Sequence, residues 1–291
     1  MEQAPELLSA IVEFRPTEAV ALHRESDAQL LHAAFLDHLR RFTPALADEL
    51  HRESRRKPFT LSHINCGPNG LRQLLPEQTY RFRITALTPQ LCEALVCFSP
   101  EEAGELLLLG QPMELLGLKI AGVPWAAMAA PLQLVQRWFY SERPPLRRIG
   151  LRFCSPTLCQ SADPARGRFP EPELVFKGLA EKWFTFTNVD PAEWPASINR
   201  IIEEAAIYAG ELLRVSRYKL STAVEHFRGR DGSAPFQKIG YIGTVEYVPE
   251  RPASAAALRA LGLLADYAFF AGVGYKTTMG MGQVQPLRFR S

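Results

Sequence analysis

The residues best equipped for chemistry lie between Glu49 and Ser62. His51 is followed closely by Arg52, Arg55, Arg56 and Lys57, and then by Pro58, Phe59, Thr60, Leu61 and Ser62. Imidazole is the side chain best suited to moving protons near neutral pH. Arginines and a lysine beside it can hold a phosphate and stabilise charge that develops on it. These parts suit cleavage of RNA through the neighbouring 2′-hydroxyl. That reaction needs a base for the hydroxyl, cations for the phosphorane and an acid for the 5′-oxygen, and it needs no metal. A purely structural explanation stands beside it, because a histidine and basic residues at a helix C-terminus also answer the helix dipole.

A second grouping runs from Gly272 to Gly282. Gly272, Gly274, Gly280 and Gly282 surround Tyr275, Lys276, Thr277 and Thr278. It is not a Walker loop, because no Gly-Lys-Ser/Thr follows the required gap. It is not a dinucleotide fingerprint either, since the third glycine is missing and the order is helix then strand. What remains is a glycine-rich loop whose backbone N–H groups and polar side chains can approach phosphates. The alternative is a helix cap followed by a tight turn. The other histidines carry weaker signals. His38 falls on the apolar face of the first helix and reads as a core or helix-end residue. His32 flanks that face and can point toward His51. His63 reads as part of a strand, and His23 and His226 have no nameable partners. No carboxylate pair or His/Cys set has metal-ligand spacing, so no metal and no cofactor is expected.

The elements that must position these groups follow from periodicity. Leu7 to Phe14 reads as a strand and Ser26 to Phe42 as a helix. Leu31, Phe35 and Phe42 share one face of that helix, and Ser26 or Asp27 can cap its start. Pro44 opens a short helix ending near His51. Phe59 to Asn65 and Thr79 to Thr85 read as strands, separated by a Gly67 to Gly70 turn. A helix at Gln90 to Phe98 and a strand near Leu115 to Ile120 complete the first half. The pattern then starts again. Arg148 to Cys154 is a strand, Pro172 to Phe186 a helix, and Ser197 to Leu213 a longer helical or mixed stretch. Tyr241 to Val248 is a strand, Ser254 to Phe270 a helix capped by Ser254, and Gln283 to Phe289 a last strand. Two such mixtures suggest an α+β chain built from a duplicated split β-α-β unit, the ferredoxin-like fold. The boundary is expected near Ser141 to Pro145, giving domains 1–140 and 145–291.

Composition agrees with a globular protein. The chain has 291 residues, 47% hydrophobic and 22% charged, with a formal charge of +2. The length suits two domains, each large enough for its own core. Basic residues cluster around Arg52, around Arg143, Arg147, Arg148 and Arg152, and around Arg214, Arg217, Lys219, Arg228 and Arg230. Local patches on a near-neutral chain permit phosphate binding without general stickiness. No apolar run approaches the length of a membrane span, and the acidic N-terminus lacks the basic region of a secretory signal. Five cysteines without framework spacing read as reduced, mostly buried thiols in a cytoplasmic protein.

The two groupings, in this order and this far apart, resemble the CRISPR repeat-processing endoribonucleases of the RAMP superfamily. The run Gly272 to Val284 resembles the glycine-rich loop of that group. Tyr241 to Tyr247 and the helix up to Phe270 resemble the context of that loop. His51 and Lys57, followed by Pro58 to Ser62, are similar to its active-site segment. Ser155 to Thr157 and Pro170 to Trp183 look like the opening of its second domain. The resemblance implies two ferredoxin-like domains and cleavage of repeat RNA, single-stranded or hairpin, to mature guides with a 2′,3′-cyclic phosphate. It maps the general base to His51 and charge stabilisation to Lys57. It places RNA contacts at Arg52, Arg55, Arg56, Gly272, Gly274, Lys276, Thr277, Thr278, Gly280 and Gly282. Some members carry a tyrosine in the first helix as a third catalytic group. Here Phe35 and Leu36 occupy that region, and His32 is the nearby residue best able to act as general acid. A CRISPR effector complex is a further expected partner, a membrane is not, and monomer and homodimer both stay open. The competing assignment is a non-catalytic RAMP-type subunit that holds guide RNA inside such a complex.

Overall fold

The structure is a computed structural model that describes residues 5–22, 27–52, 56–66, 71–142, 147–163, 166–187, 196–229, 234–250 and 253–287. His23, Ser26, Arg55, the turn at Gly67 to Gly70, Arg143, Pro144, Pro145 and Arg230 lie outside the described residues. The chain divides into two compact units. The first comprises residues 1–128 together with 224–238 and 276–281, and the second holds the remainder.

The first unit begins with β1 (Leu7–Pro16) and the short β2 (Val20–Ala21). Helices α1 (Asp27–Phe42) and α2 (Pro44–Arg52) follow, then β3 (Phe59–Leu61), β4 (Gln73–Leu74) and β5 (Tyr80–Ala86). Next come α3 (Pro89–Ala94), the hairpin β6 (Glu105–Leu108) and β7 (Gln111–Lys119), and β8 (Ala127–Ala129). The main sheet has the order β3-β5-β1-β7-β6, with β8 paired to β1, while β2 and β4 pair separately. Strand β1 is central because nearly every residue in it is buried, from Leu7 to Phe14. It pairs antiparallel with β5 and β7, so Val12 faces Phe82 and Leu118 across the two ladders. Helix α1 packs Leu31, Phe35 and Leu39 into the core at i, i+4 spacing, where Phe35 stacks on Phe98 at 5.5 Å. Phe42, expected on that face, is 39% exposed, because it closes the last turn of the helix and lies tilted against the His38 ring rather than reaching the core.

The second unit runs α4 (Pro131–Phe139), β9 (Ile149–Thr157), α5 (Pro172–Phe186), α6 (Ala196–Ile207), α7 (Ala209–Leu212) and most of β10 (Leu213–Phe227), whose residues 224–227 belong to the first unit, as do residues 236–238 at the start of the next strand. Strand β11 (Phe236–Pro249), helix α8 (Ala255–Ala271) and β12 (Val284–Leu287) complete it. Its sheet order is β10-β11-β9-β12. Helix α8 is apolar almost all round and nearly every residue from Leu258 to Ala271 is buried, as expected of a helix covered on several sides. Trp183 of α5 meets Tyr267 of α8 edge-on at 5.1 Å. Ser254 caps α8 through its side chain, which accepts from the Ala257 N–H at 3.1 Å.

In each unit the second strand of the split β-α-β motif lies at the edge, the third beside it, the first in the interior and the fourth beyond. In the first unit these are β3, β5, β1 and β7, and in the second β10, β11, β9 and β12. That is the ferredoxin-like connectivity, present twice in an α+β chain. Among the described residues, strands β2, β4, β6, β8 and β10 and helix α4 have no counterpart in the elements expected from the sequence. The strand expected at Phe59 to Asn65 stops at Leu61, and Ile64–Cys66 is instead a tight turn in which Asn65 has φ of 59°. Cys92, Cys97 and Cys159 are buried thiols, with burial raising Cys92 and Cys97 to about 12 and Cys159 to about 11, while Cys154 is half-buried.

Candidate active site

Helix α2 ends where the cationic segment begins. His51 and Arg52 occupy its last turn, and both are exposed. The last carbonyls of a helix lack intrahelical donors. Arg52 Nε donates to the Asp48 carbonyl at 3.2 Å, and Lys57 Nζ donates to the Leu50 carbonyl. Two of the cations expected from the sequence therefore answer helix carbonyls, which is the structural role anticipated for them. Lys57 is at the same time fixed beside His51, since its anchor is the carbonyl of the preceding residue. Arg56 is exposed, and Arg55 lies outside the described residues.

His32 sits on α1 and is half-buried. Its ring stacks on Phe59 of β3 at 5.8 Å, which brings it to the strand that follows Lys57. Its Nδ1 lies 3.1 Å from the Thr278 carbonyl. A carbonyl only accepts, so Nδ1 carries the hydrogen and proton exchange falls to Nε2. The contact joins α1 to the glycine-rich loop, whose residues 276–281 belong to the first unit. Within that stretch Thr277–Met279 form one tight turn, flanked by Lys276 at φ 52° and Gly280 at φ 84°. The Lys276 ammonium lies over the rings of Phe227 and Phe236, at 4.5 and 5.4 Å. The Gly280 N–H donates to the Leu61 carbonyl at 3.1 Å.

The rest of the loop belongs to the second unit. There the Gly272 N–H donates to the Ala268 carbonyl and closes helix α8. Val273 donates to Gly282, Tyr275 to Leu158, and Gly282 to Pro156, all at 2.8–3.0 Å. Lys182 Nζ adds bonds to the Ala271 and Gly272 carbonyls at 2.7 and 3.1 Å. Several of the loop's N–H groups are thus already paired inside the protein.

One cluster escaped the sequence reading. His63 is almost fully buried and lies between two equally buried carboxylates. Its Nδ1 is 2.5 Å from Asp27 Oδ1, and its Nε2 is 3.2 Å from Glu225 Oε2. Asp27 also accepts from the Ala28 N–H on one oxygen and the Ile64 N–H on the other, both at 2.8 Å. Burial alone would disfavour the charged ring. The hydrogen bonds to Asp27 and then Glu225, with the charges of both, outweigh it and hold the His63 pKa at about 10. Asp27 was legible only as a helix-start residue, and Glu225 lies on a strand the periodicity did not reveal. His38 takes the place expected for it, buried with Nε2 2.6 Å from the Cys97 carbonyl, and burial lowers its pKa. Among the described residues no group of three or more His, Cys, Asp or Glu side chains is arranged to hold a metal ion.

Comparison with known proteins locates these features. Residues 151–284 match the family model for the CRISPR-associated endoribonuclease Cas6. Across nearly the full length the fold is similar to that of a Cas6 product complex, with 26% identity and a TM-score of 0.72, covering 98% of this chain and 100% of that one. Thermus thermophilus Cas6 has 23% identity and a TM-score of 0.68, with the same coverage. A RAMP protein described as binding different RNA substrates shares the fold at 12% identity and a TM-score of 0.56, covering 97% and 100% of the two chains. No curated protein matches the chain.

Proposed function

We propose, from the premise that the chain is a CRISPR-associated endoribonuclease of the Cas6 kind, that it cuts repeat RNA in precursor transcripts without a metal and leaves a 2′,3′-cyclic phosphate. The observation that carries this reading is His51, exposed at the end of α2 with the Lys57 ammonium anchored on the adjacent Leu50 carbonyl. In the reaction His51 takes the proton of the 2′-hydroxyl, and the oxygen attacks the adjacent phosphorus. The bond from phosphorus to the 5′-oxygen breaks, giving the cyclic phosphate and a 5′-hydroxyl. Lys57, with Arg52, Arg55 and Arg56, offsets the charge that grows on the phosphorane. His32 supplies the proton to the departing 5′-oxygen from Nε2, the orientation supported by its Nδ1 contact with Thr278. Lys276, Thr277 and Thr278, framed by Gly272, Gly274, Gly280 and Gly282, hold the RNA near the cut. The partner is CRISPR repeat RNA, and the setting is the cytoplasm; no helix among the described residues is long and apolar enough to cross a membrane.

The test is incubation of the purified chain with end-labelled repeat RNA, with and without excess chelator. Equal cutting in both, with a 2′,3′-cyclic phosphate on the upstream fragment, is the expected result. Cutting that stops in chelator and returns with added divalent ion would overturn the mechanism. RNA bound but left intact would favour a non-catalytic RAMP-type subunit.

A further inference from the structure

The Asp27, His63 and Glu225 cluster holds both sides of the contact that orients His32. Asp27 is the first residue of α1, the helix that carries His32. It is tied to His63 through Nδ1 and to the backbone of Ile64. On the other side stands the loop. A Cβ on Gly280 would lie 2.5 Å from His63 Nε2 and 2.7 Å from Ala28 Cβ, so the loop backbone lies directly against the imidazole and the start of α1. The Gly280 N–H is also bonded to Leu61, two residues before His63. Thr278, whose carbonyl meets His32 Nδ1, is two residues before Gly280. Glu225 Oε2 lies 3.2 Å from the far nitrogen of His63 as an ion-pair partner. Two buried carboxylates facing one another without a cation between them would repel and be poorly solvated. The ring between them is therefore what permits α1, the segment after β3 and the loop to meet at this point.

We propose that His63 is a positioning residue of the cleavage site, bridging Asp27 and Glu225 so that the Gly280 backbone seats the Thr278 carbonyl against His32. The inference rests on the proposed role of His32 in cleavage. It assigns His63 no contact with RNA and no proton transfer, since both ring nitrogens face carboxylates.

Single-turnover cleavage of repeat RNA, RNA affinity and melting temperature are measured for the wild type, His63→Gln, His32→Ala and the double variant. Misplacing a reacting group by about an ångström costs up to roughly 100-fold in rate. His63→Gln is therefore expected to slow cleavage roughly 10- to 100-fold with RNA affinity unchanged, and to add nothing once His32 is alanine. Equal slowing in both backgrounds, or loss of affinity and melting temperature without a specific loss of rate, overturns the inference while leaving the activity standing. A wild-type chain inert toward repeat RNA overturns the activity and the inference together. If His63→Gln does not fold, Glu225→Gln, which loosens one arm and keeps the Asp27 bond, is judged by the same criteria.

Discussion

His51 and His63 belong to the same compact unit, and each is flanked by charge, but of opposite sign. Around His51 the neighbours are Arg52, Arg56 and Lys57, and the ring is exposed. Around His63 the neighbours are Asp27 and Glu225, and all three side chains are buried. Cations in the segment around an exposed imidazole offer a phosphate somewhere to bind. Carboxylates about a buried imidazole, one bonded to Nδ1 and the other 3.2 Å from Nε2, favour the charged ring and hold its pKa at about 10. The same side chain is in one place exposed in a cationic segment and in the other enclosed by carboxylates. The sign and burial of its neighbours make the difference, since the ring chemistry is common to both.

The largest expected effect sharpens the catalytic side of this contrast. General acid–base groups contribute about 10²–10⁴-fold in rate. His51→Ala should slow cleavage by about that factor while RNA affinity and melting temperature stay close to wild type. Near-normal turnover by this variant would move the base elsewhere, with His32 the first residue to test.

The architectural side is sharpened by Gly280→Val. Residues other than glycine are strained at φ 84°, and the new Cβ would press on His63 Nε2. Strain and overpacking each cost about 1–3 kcal/mol, so the melting temperature should fall by roughly 5–15 °C, measured by thermal unfolding without RNA. A variant that melts like the wild type but has lost RNA affinity would instead make this glycine a direct RNA contact.

The smallest effect is one of pH. The His63 pKa is raised on folding from 6.5 to about 10, so the folded state gains from the charged ring. That gain is full below about pH 6.5, declines as pH rises, and is gone above about pH 10. The difference in melting temperature between wild type and His63→Gln should shrink along the same course. A difference that stays constant from pH 6 to pH 10.5 would show that His63 contributes by shape alone.

Much of the architecture was legible in the residues. The apolar run of β1, the i, i+4 face of α1, the Pro44 start of α2 and the Ser254 cap of α8 are local signals, and local signals survive folding. The cationic run proposed for catalysis was legible for the same reason, since His51 and Lys57 are close in the chain. Strand β10 was not. It is an edge strand with most of its residues exposed between Arg214 and His226, so no alternation of burial is written into its sequence. The clamp on the glycine loop was hidden more deeply. Asp27, His63, Glu225 and Gly280 come from four separate stretches, and each taken alone has an ordinary explanation as helix start, strand residue, surface acid or turn. Residue pattern alone carried the repeated fold and the short cationic run after His51, because propensity and short spacing act within a few turns of chain. Only the tertiary structure decided which histidine would be buried between carboxylates, because the neighbours that set its charge arrive from distant strands and loops.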